Sequence, residues 1–260
     1  MKKVNTEAVV RNSFKKLSCR IRVLIRNTSS NLVHDFRTEV KKLKAILNLF
    51  STELKDPEDL KLPRRLKDIY RAAGSIRELQ LQLSQTKGYK EYSALLTEVQ
   101  TDREEHFRRI AQKKTIKKTR QRIMERLRGQ LHQHTITLFR ENKLKEIETI
   151  RALPQPSDDQ MHTIRKNLKD IIYVQKIGDE KSIENPAVKE MKQATKELGK
   201  LNDLRTSIKY LRPVWINEIG YVERRKLVRL RTVRTRRKDA LKKRIISEYP
   251  GFQFTRVSEE

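Results

Sequence analysis

His34, Arg37, Lys41 and Lys44 stand at steps of three and four along one short stretch of the chain. On a helix turning 100° per residue they fall within an arc of about 80°, forming one row of cationic donors. Val33, Phe36, Val40, Leu43, Leu47 and Phe50 make an apolar seam beside that row. The same order returns at His162, Arg165 and Lys169, with Met161, Ile164, Leu168 and Ile171 as its seam. The chemistry such rows offer is anion capture. Arginine presents a planar fork of donors, and lysine a mobile point charge. A neutral histidine donates one ring N–H and gains charge beside an anion. A duplicated cationic row implies a polyanionic ligand.

The elements that must position these rows are helices. Val10, Phe14, Leu17, Ile21 and Leu24 predict a first helix from about Thr6 to Asn27. Thr28, Ser29, Ser30 and Asn31 supply capping residues for the second, which carries the His34 row to about Thr52. Asp56-Pro57 and Pro63 punctuate the next connection, a third helix runs through Leu66 to Leu83, and Gly88 ends it. A fourth runs, with a break, from near Tyr89 to Leu127, and Gly129 marks the boundary between halves.

The second half repeats this order. A helix through Ile136 and Ile150 ends at Pro154, and Ser157-Asp158-Asp159 caps the His162 helix, which stops at Gly178. Asn185-Pro186 opens a third helix that Pro213 breaks, and the last, most basic helix spans about Trp215 to Ser247. No stretch alternates with period two, so strands are not expected. The expected fold is all-α, with four helices in 1–129 and four in 130–260 as two repeats of one domain.

Lys plus Arg number 61 against 33 Asp plus Glu, a net charge of +28. That excess attracts polyanions, and it is patterned against apolar seams rather than scattered. The single cysteine, Cys19, excludes an internal disulfide and fits a reducing compartment. Its place beside apolar positions reads as a packed thiol rather than a nucleophile. No run is long enough to span a bilayer, and the N-terminus lacks the apolar core of a signal peptide. A cytoplasmic protein without membrane contact is expected. His132 and His134 are two apart and face different directions, and His106 has no second histidine at ligand spacing. Neither a Walker loop nor a dinucleotide glycine fingerprint is present. Catalysis, a metal and a cofactor are therefore not expected.

A second internal match joins the first. Gly74-Ser75-Ile76-Arg77-Glu78-Leu79 follows the His34 row, and Gly199-Lys200-Leu201-Asn202-Asp203-Leu204 follows the His162 row. Glycine inside a helix costs about 1 kcal/mol relative to alanine, so its reuse at one place points to close helix approach. Glu78 and Asp203 share a motif position from which each could orient a neighbouring cation, or simply face solvent.

These paired stretches, VHDFRTEVKKLK with AGSIREL and MHTIRKNLK with LGKLNDL, resemble the CHAD family, the conserved histidine α-helical domain. The resemblance covers essentially the whole chain. It implies a pair of four-helix bundles related by pseudo-twofold symmetry, with a basic cavity or surface between them that binds inorganic polyphosphate. Carried over by position, it implicates His34, Arg37, Lys41, Lys44 and Arg77, then His162, Arg165 and Lys169. It also suggests association with polyphosphate granules.

Two departures qualify the carry-over. The family's pattern continues with two further basic residues where this chain has Asp170 and Ile172. Tyr173, about 20° from His162 on the same stripe, could offer a hydroxyl there. Glu78 and Gln80 stand where the family tends to have two aspartates. No run of alternating glutamates of the triphosphate-tunnel kind precedes His34, so triphosphatase activity is not implied. The rival reading is a protein that binds an RNA or DNA backbone, to which the closing basic helix is suited. Against it stand an aromatic content of 6% and the lack of a recognised nucleic-acid motif.

Overall fold

Apolar side chains at steps of three and four can be buried together only on a helix, and every seam in this sequence becomes one. The computed structural model describes residues 6–52, 60–127, 133–178 and 185–248. Asp56-Pro57, Gly129 and His132 lie outside the described residues. Among the described residues there are ten helices and no strand, and no helix is long and apolar enough to cross a membrane. The chain divides into two compact units, Met1–Ile136 and Thr137–Glu260.

In the first unit, α1 (Thr6–Arg26) buries Val10, Phe14, Leu17, Ile21 and Leu24, the positions its spacing singles out. Cys19, two residues past Leu17, is turned to the other side of the helix and is exposed, which corrects the packed-thiol expectation. α2 (Ser30–Ser51) lies against α1 and buries Val33, Phe36, Val40, Leu43, Leu47 and Phe50. α3 (Arg64–Gln85) packs on α2 and on α4 (Lys90–Ile110), and α5 (Lys113–Arg126) closes against α1 and α3. The expected fourth helix is thus two, separated where Ala111 leaves the helical conformation at ψ 85°. Phe36 meets Phe107 of α4 edge-on, with ring centroids 6.5 Å apart. This buried pair fixes the rotation of α2, and the residue after Phe36 is Arg37.

The second unit is built on α6 (Gln133–Arg151), all but its first turn, with α7 (Asp158–Gly178), α8 (Pro186–Tyr210) and α10 (Tyr221–Glu248). Leu144 and Ile147 of α6 share a core with Met161, Ile164, Leu168 and Ile171 of α7. Met191, Leu198 and Leu201 of α8 and Ile245 of α10 complete it. The last helix starts later than the sequence suggests. Pro213–Ile216 forms the separate short α9, and the chain turns with Ile216 and Ile219 buried before α10 begins.

α10 has little apolar seam of its own, burying Leu227, Arg234 and Ile245. Polar contacts hold it instead. Lys238 and Lys242 donate to Asp158 at the start of α7, at 2.7 and 3.3 Å. Arg244 donates to the buried Glu197 of α8 at 2.7 Å, and the Arg234 guanidinium to the Ser207 hydroxyl. Burial pushes the Asp158 carboxyl up, but bonds from Lys238 and Lys242 outweigh it and leave the group below its ordinary value. At Glu197 the Lys200 bond dominates, with Arg244 in support, and it too is lowered against burial. Both carboxyls therefore add stability at neutral pH that is lost as acid protonates them.

Capping is partly as the sequence suggests. Asn185 accepts the Ala187 N–H at 2.8 Å ahead of Pro186 in the first turn. Ser157 and Gln160 form a reciprocal capping box at the start of α7. Ser29 stands at the N-cap of α2, yet its hydroxyl makes no capping bond. Its N–H is instead accepted by Asn27. Asn185→Ala should therefore cost about 1 kcal/mol of unfolding free energy, and Ser29→Ala within about 0.5 kcal/mol of nothing. Urea titrations of the two variants check this; equal losses would refute the difference in caps.

Candidate functional site

Helix rotation alone places the cations of α2 at the edge of its buried seam, and their burial grades along the row. His34 and Lys44 are exposed, while Arg37 and Lys41 between them are half-buried. Two acids of α2 have partners outside the row. Asp35 accepts from Arg20 of α1, and the buried Glu39 from Lys42 at 2.9 Å.

Arg37 is seated rather than merely present. Its Nη1 donates to the Tyr70 carbonyl of α3 at 2.9 Å. Its guanidinium lies 4.4 Å from the centre of the Tyr70 ring. Gly74, one turn on, makes room: a β-carbon there would stand 2.3 Å from Arg37 Nη1. The close approach implied by this glycine is thus made by a guanidinium. With one of its five N–H groups on the Tyr70 carbonyl, the arginine is oriented and keeps donors for an anion. Arg77 reaches from α3 to the first residue of α2, donating to the Ser30 hydroxyl and, at 3.3 Å, to the Ser30 carbonyl. Gln80 donates to the Thr28 carbonyl at 2.6 Å. These contacts run antiparallel along the two helices and pin the start of α2.

The second unit places Arg165 against Gly199 in the corresponding way, but more loosely. A β-carbon at Gly199 would meet Arg165 Nε and Nη2 at 3.6 Å, ordinary contact. Lys169, one turn along from Arg165, has its pKa lowered to about 8. Burial is the larger cause and the charge of Arg165 the next, with Asp203 opposing both. Asp203 thus lies within electrostatic reach of the row, as one reading of its motif position has it, although it is exposed. Glu78, its counterpart, is half-buried on α3. His162 and Tyr173 are half-buried on α7. Ile172, at the position matching Lys44, is buried in the core, and Asn202 stands where the first unit has Arg77. The second row ends with Lys169.

Tyr70 and Ser30 escape the sequence reading. Tyr70 lies one turn before Gly74 and looks like one more seam residue, and Ser30 like a cap. Among the described residues, no three His, Cys, Asp or Glu side chains gather as metal ligands.

The two glycines should respond differently to alanine. Gly199→Ala should stabilise the protein by up to about 1 kcal/mol, the helix-propensity difference. Gly74→Ala should gain little or nothing, because Arg37 must leave the Tyr70 carbonyl. Chemical denaturation measures both, and an equal gain at both positions would mean that Gly74 is not required by the arginine.

Comparison with known proteins bears on the family and the fold. The family model described as CHAD domain matches residues 8–212. Among solved structures, the crystal structure of the CHAD domain from the plant Ricinus communis matches at a TM-score of 0.70 and 17% identity. The match covers 92% of this chain and 89% of that one, a likeness of fold. No curated protein matches the sequence. With the family model spanning both cationic rows and both glycine motifs, the chain belongs to the CHAD domain family.

Proposed function

We propose that this protein binds inorganic polyphosphate without chemical turnover, through the two rows on α2 and α7. The observation that carries the reading is the pairing of Arg37 with Gly74 and of Arg165 with Gly199. One helix supplies the arginine and the next a glycine to receive it, in each unit. Such an internal repeat of function, including a pseudo-twofold relation of the units, is part of the proposal. Polyphosphate is a dense line of charge with no bases to read, so a binder needs forked donors and point charges at fixed spacing. Arg37 and Arg165 are the forks; Lys41, Lys44 and Lys169 are the points; His34, His162, Arg77 and Tyr173 extend them. Family membership supports the ligand, and a cytoplasmic setting at polyphosphate granules would follow from it.

Position should outweigh total charge. Arg37→Ala and Lys41→Ala should each weaken binding to long-chain polyphosphate by about 1–3 kcal/mol, the range for hydrogen bonds to charged groups. Arg236→Ala, which removes an exposed cation from α10, should cost far less. Titration calorimetry at near-physiological salt compares the three. Equal small losses would mean a diffuse cloud of charge and no site.

Lys169 gives the reading a pH signature. Its lowered pKa means that the ligand-free protein loses this charge as pH rises through about 8. A bound phosphate favours the charged form, so binding takes up protons in that range and weakens as pH rises. The loss between pH 7 and 9.5 should be about 1–3 kcal/mol. Lys169→Arg keeps its charge and should flatten the profile. The sign for folding is separate: stability should rise across the interval from about 8 to the ordinary lysine value, because the unfolded chain holds the proton there. A flat binding profile in the unaltered protein would exclude Lys169 from the site.

A further inference from the structure

We propose that the outward face of α10 is a docking surface for B-form duplex DNA, separate from the rows on α2 and α7. α10 lies beyond residues 8–212 matched by the family model. Its inner cations are committed, with Lys238 and Lys242 on Asp158 and Arg234 buried against Ser207, while the exposed Arg244, on the side of Lys226, pairs with Glu197. Its outer cations are arranged differently. Arg225, Arg229, Arg236 and Lys243, all exposed, fall within an arc of about 40° along about 27 Å of helix. Lys226 and Arg237, also exposed, make a second edge about 90° around the axis. Between the edges runs a low ridge of Val222, Val233 and Ala240, with Val222 68% exposed.

A helix face that is only a solvated surface gains from mixed charge at steps of three and four, and loses from like charge. Here Arg225 stands one turn from Arg229 with no acid three or four residues from either, whereas Arg236 and Lys243 flank the exposed Asp239, which also pairs with Lys238. The Arg225–Arg229 pair therefore does not serve the stability of the helix.

The shape of the face selects the partner. Polyphosphate is a single line of charge, whereas two cationic edges about a ridge match two phosphate strands bordering a groove. The major groove of B-DNA is about 12 Å wide and admits a helix about 10–12 Å across. The small ridge residues can enter it and meet thymine methyl groups. The deep, narrow major groove of A-form RNA cannot take a helix. A helix lying on an anionic bilayer needs a broad apolar face with Trp, Phe or Leu, which this ridge is not.

The test is fluorescence anisotropy of the 260-residue chain on a DNA duplex of about 20 base pairs over a salt series. The variant carries Arg225→Gln, Arg229→Gln, Arg236→Gln and Lys243→Gln together. All four side chains are exposed, so circular dichroism and melting should be unchanged. DNA affinity should fall at least about tenfold, and the log–log salt slope should become shallower by about 3–4. Polyphosphate affinity should change less than about twofold. Arg37→Ala should show the reverse, with polyphosphate binding weakened and DNA binding kept. A failure of the polyphosphate reading is thus visible apart from a failure of this one. The proposal is overturned if the unaltered protein does not hold duplex DNA, or if the fourfold variant binds it equally well. Tighter binding to duplex RNA or to anionic phospholipid vesicles would overturn it too, as would loss of both ligands from Arg37→Ala.

Discussion

A chain with a net charge of +28 must pack helices against one another while nearly every helix carries surplus positive charge. Several of its acids are placed where helices meet. Asp35 joins α2 to α1 through Arg20, and Asp158 joins α7 to α10 through Lys238 and Lys242. Glu197 receives both Lys200 of its own helix and Arg244 of α10. An exposed pair of this kind adds little alone. A carboxylate as buried as Glu197 is different, because removing its cations would leave a charge without water or partner. Charge in this protein is sorted rather than neutralised, which leaves whole flanks cationic.

Within those flanks, holding an arginine matters as much as having one. A guanidinium on a flexible stem loses rotamer freedom when it binds an anion, and fixing it beforehand removes part of that loss. Arg37 is fixed by a carbonyl below, a ring beside it and a missing β-carbon in front. Arg165 has a looser seat at Gly199, but it lies beside a lysine whose charge is already disfavoured by burial. The two units hold their half-buried arginines by different balances, one through orientation and the other beside a lysine whose charge burial disfavours.

α10 differs from both rows in kind. Its outer cations are solvated and spread along a straight helix, whereas Arg37, Lys41, Arg165 and Lys169 are half-buried beside an apolar seam. Half-buried donors favour a ligand that can follow them closely. Solvated ones on a rod favour a ligand that is itself long, stiff and charged on its outside.

The amino-acid sequence by itself determined the helices, because a seam repeating every three or four residues can be buried in no other conformation. It also determined the Asn185 and Ser157 caps, whose partners are two and three residues away, and the duplicated rows, whose members share one face by rotation alone. Only the tertiary structure decided which cations of a uniformly basic chain turn inward. Arg234 is buried because Ser207 waits on another helix, and Arg37 is held because Tyr70 and Gly74 pass beside it. Ser29 looks like a cap in sequence, yet the hydroxyl that finds a partner across the helices is that of Ser30, on Arg77. Periodicity fixes the direction in which a side chain leaves its helix. What it meets there depends on segments tens of residues distant, and spacing within one helix carries no record of them.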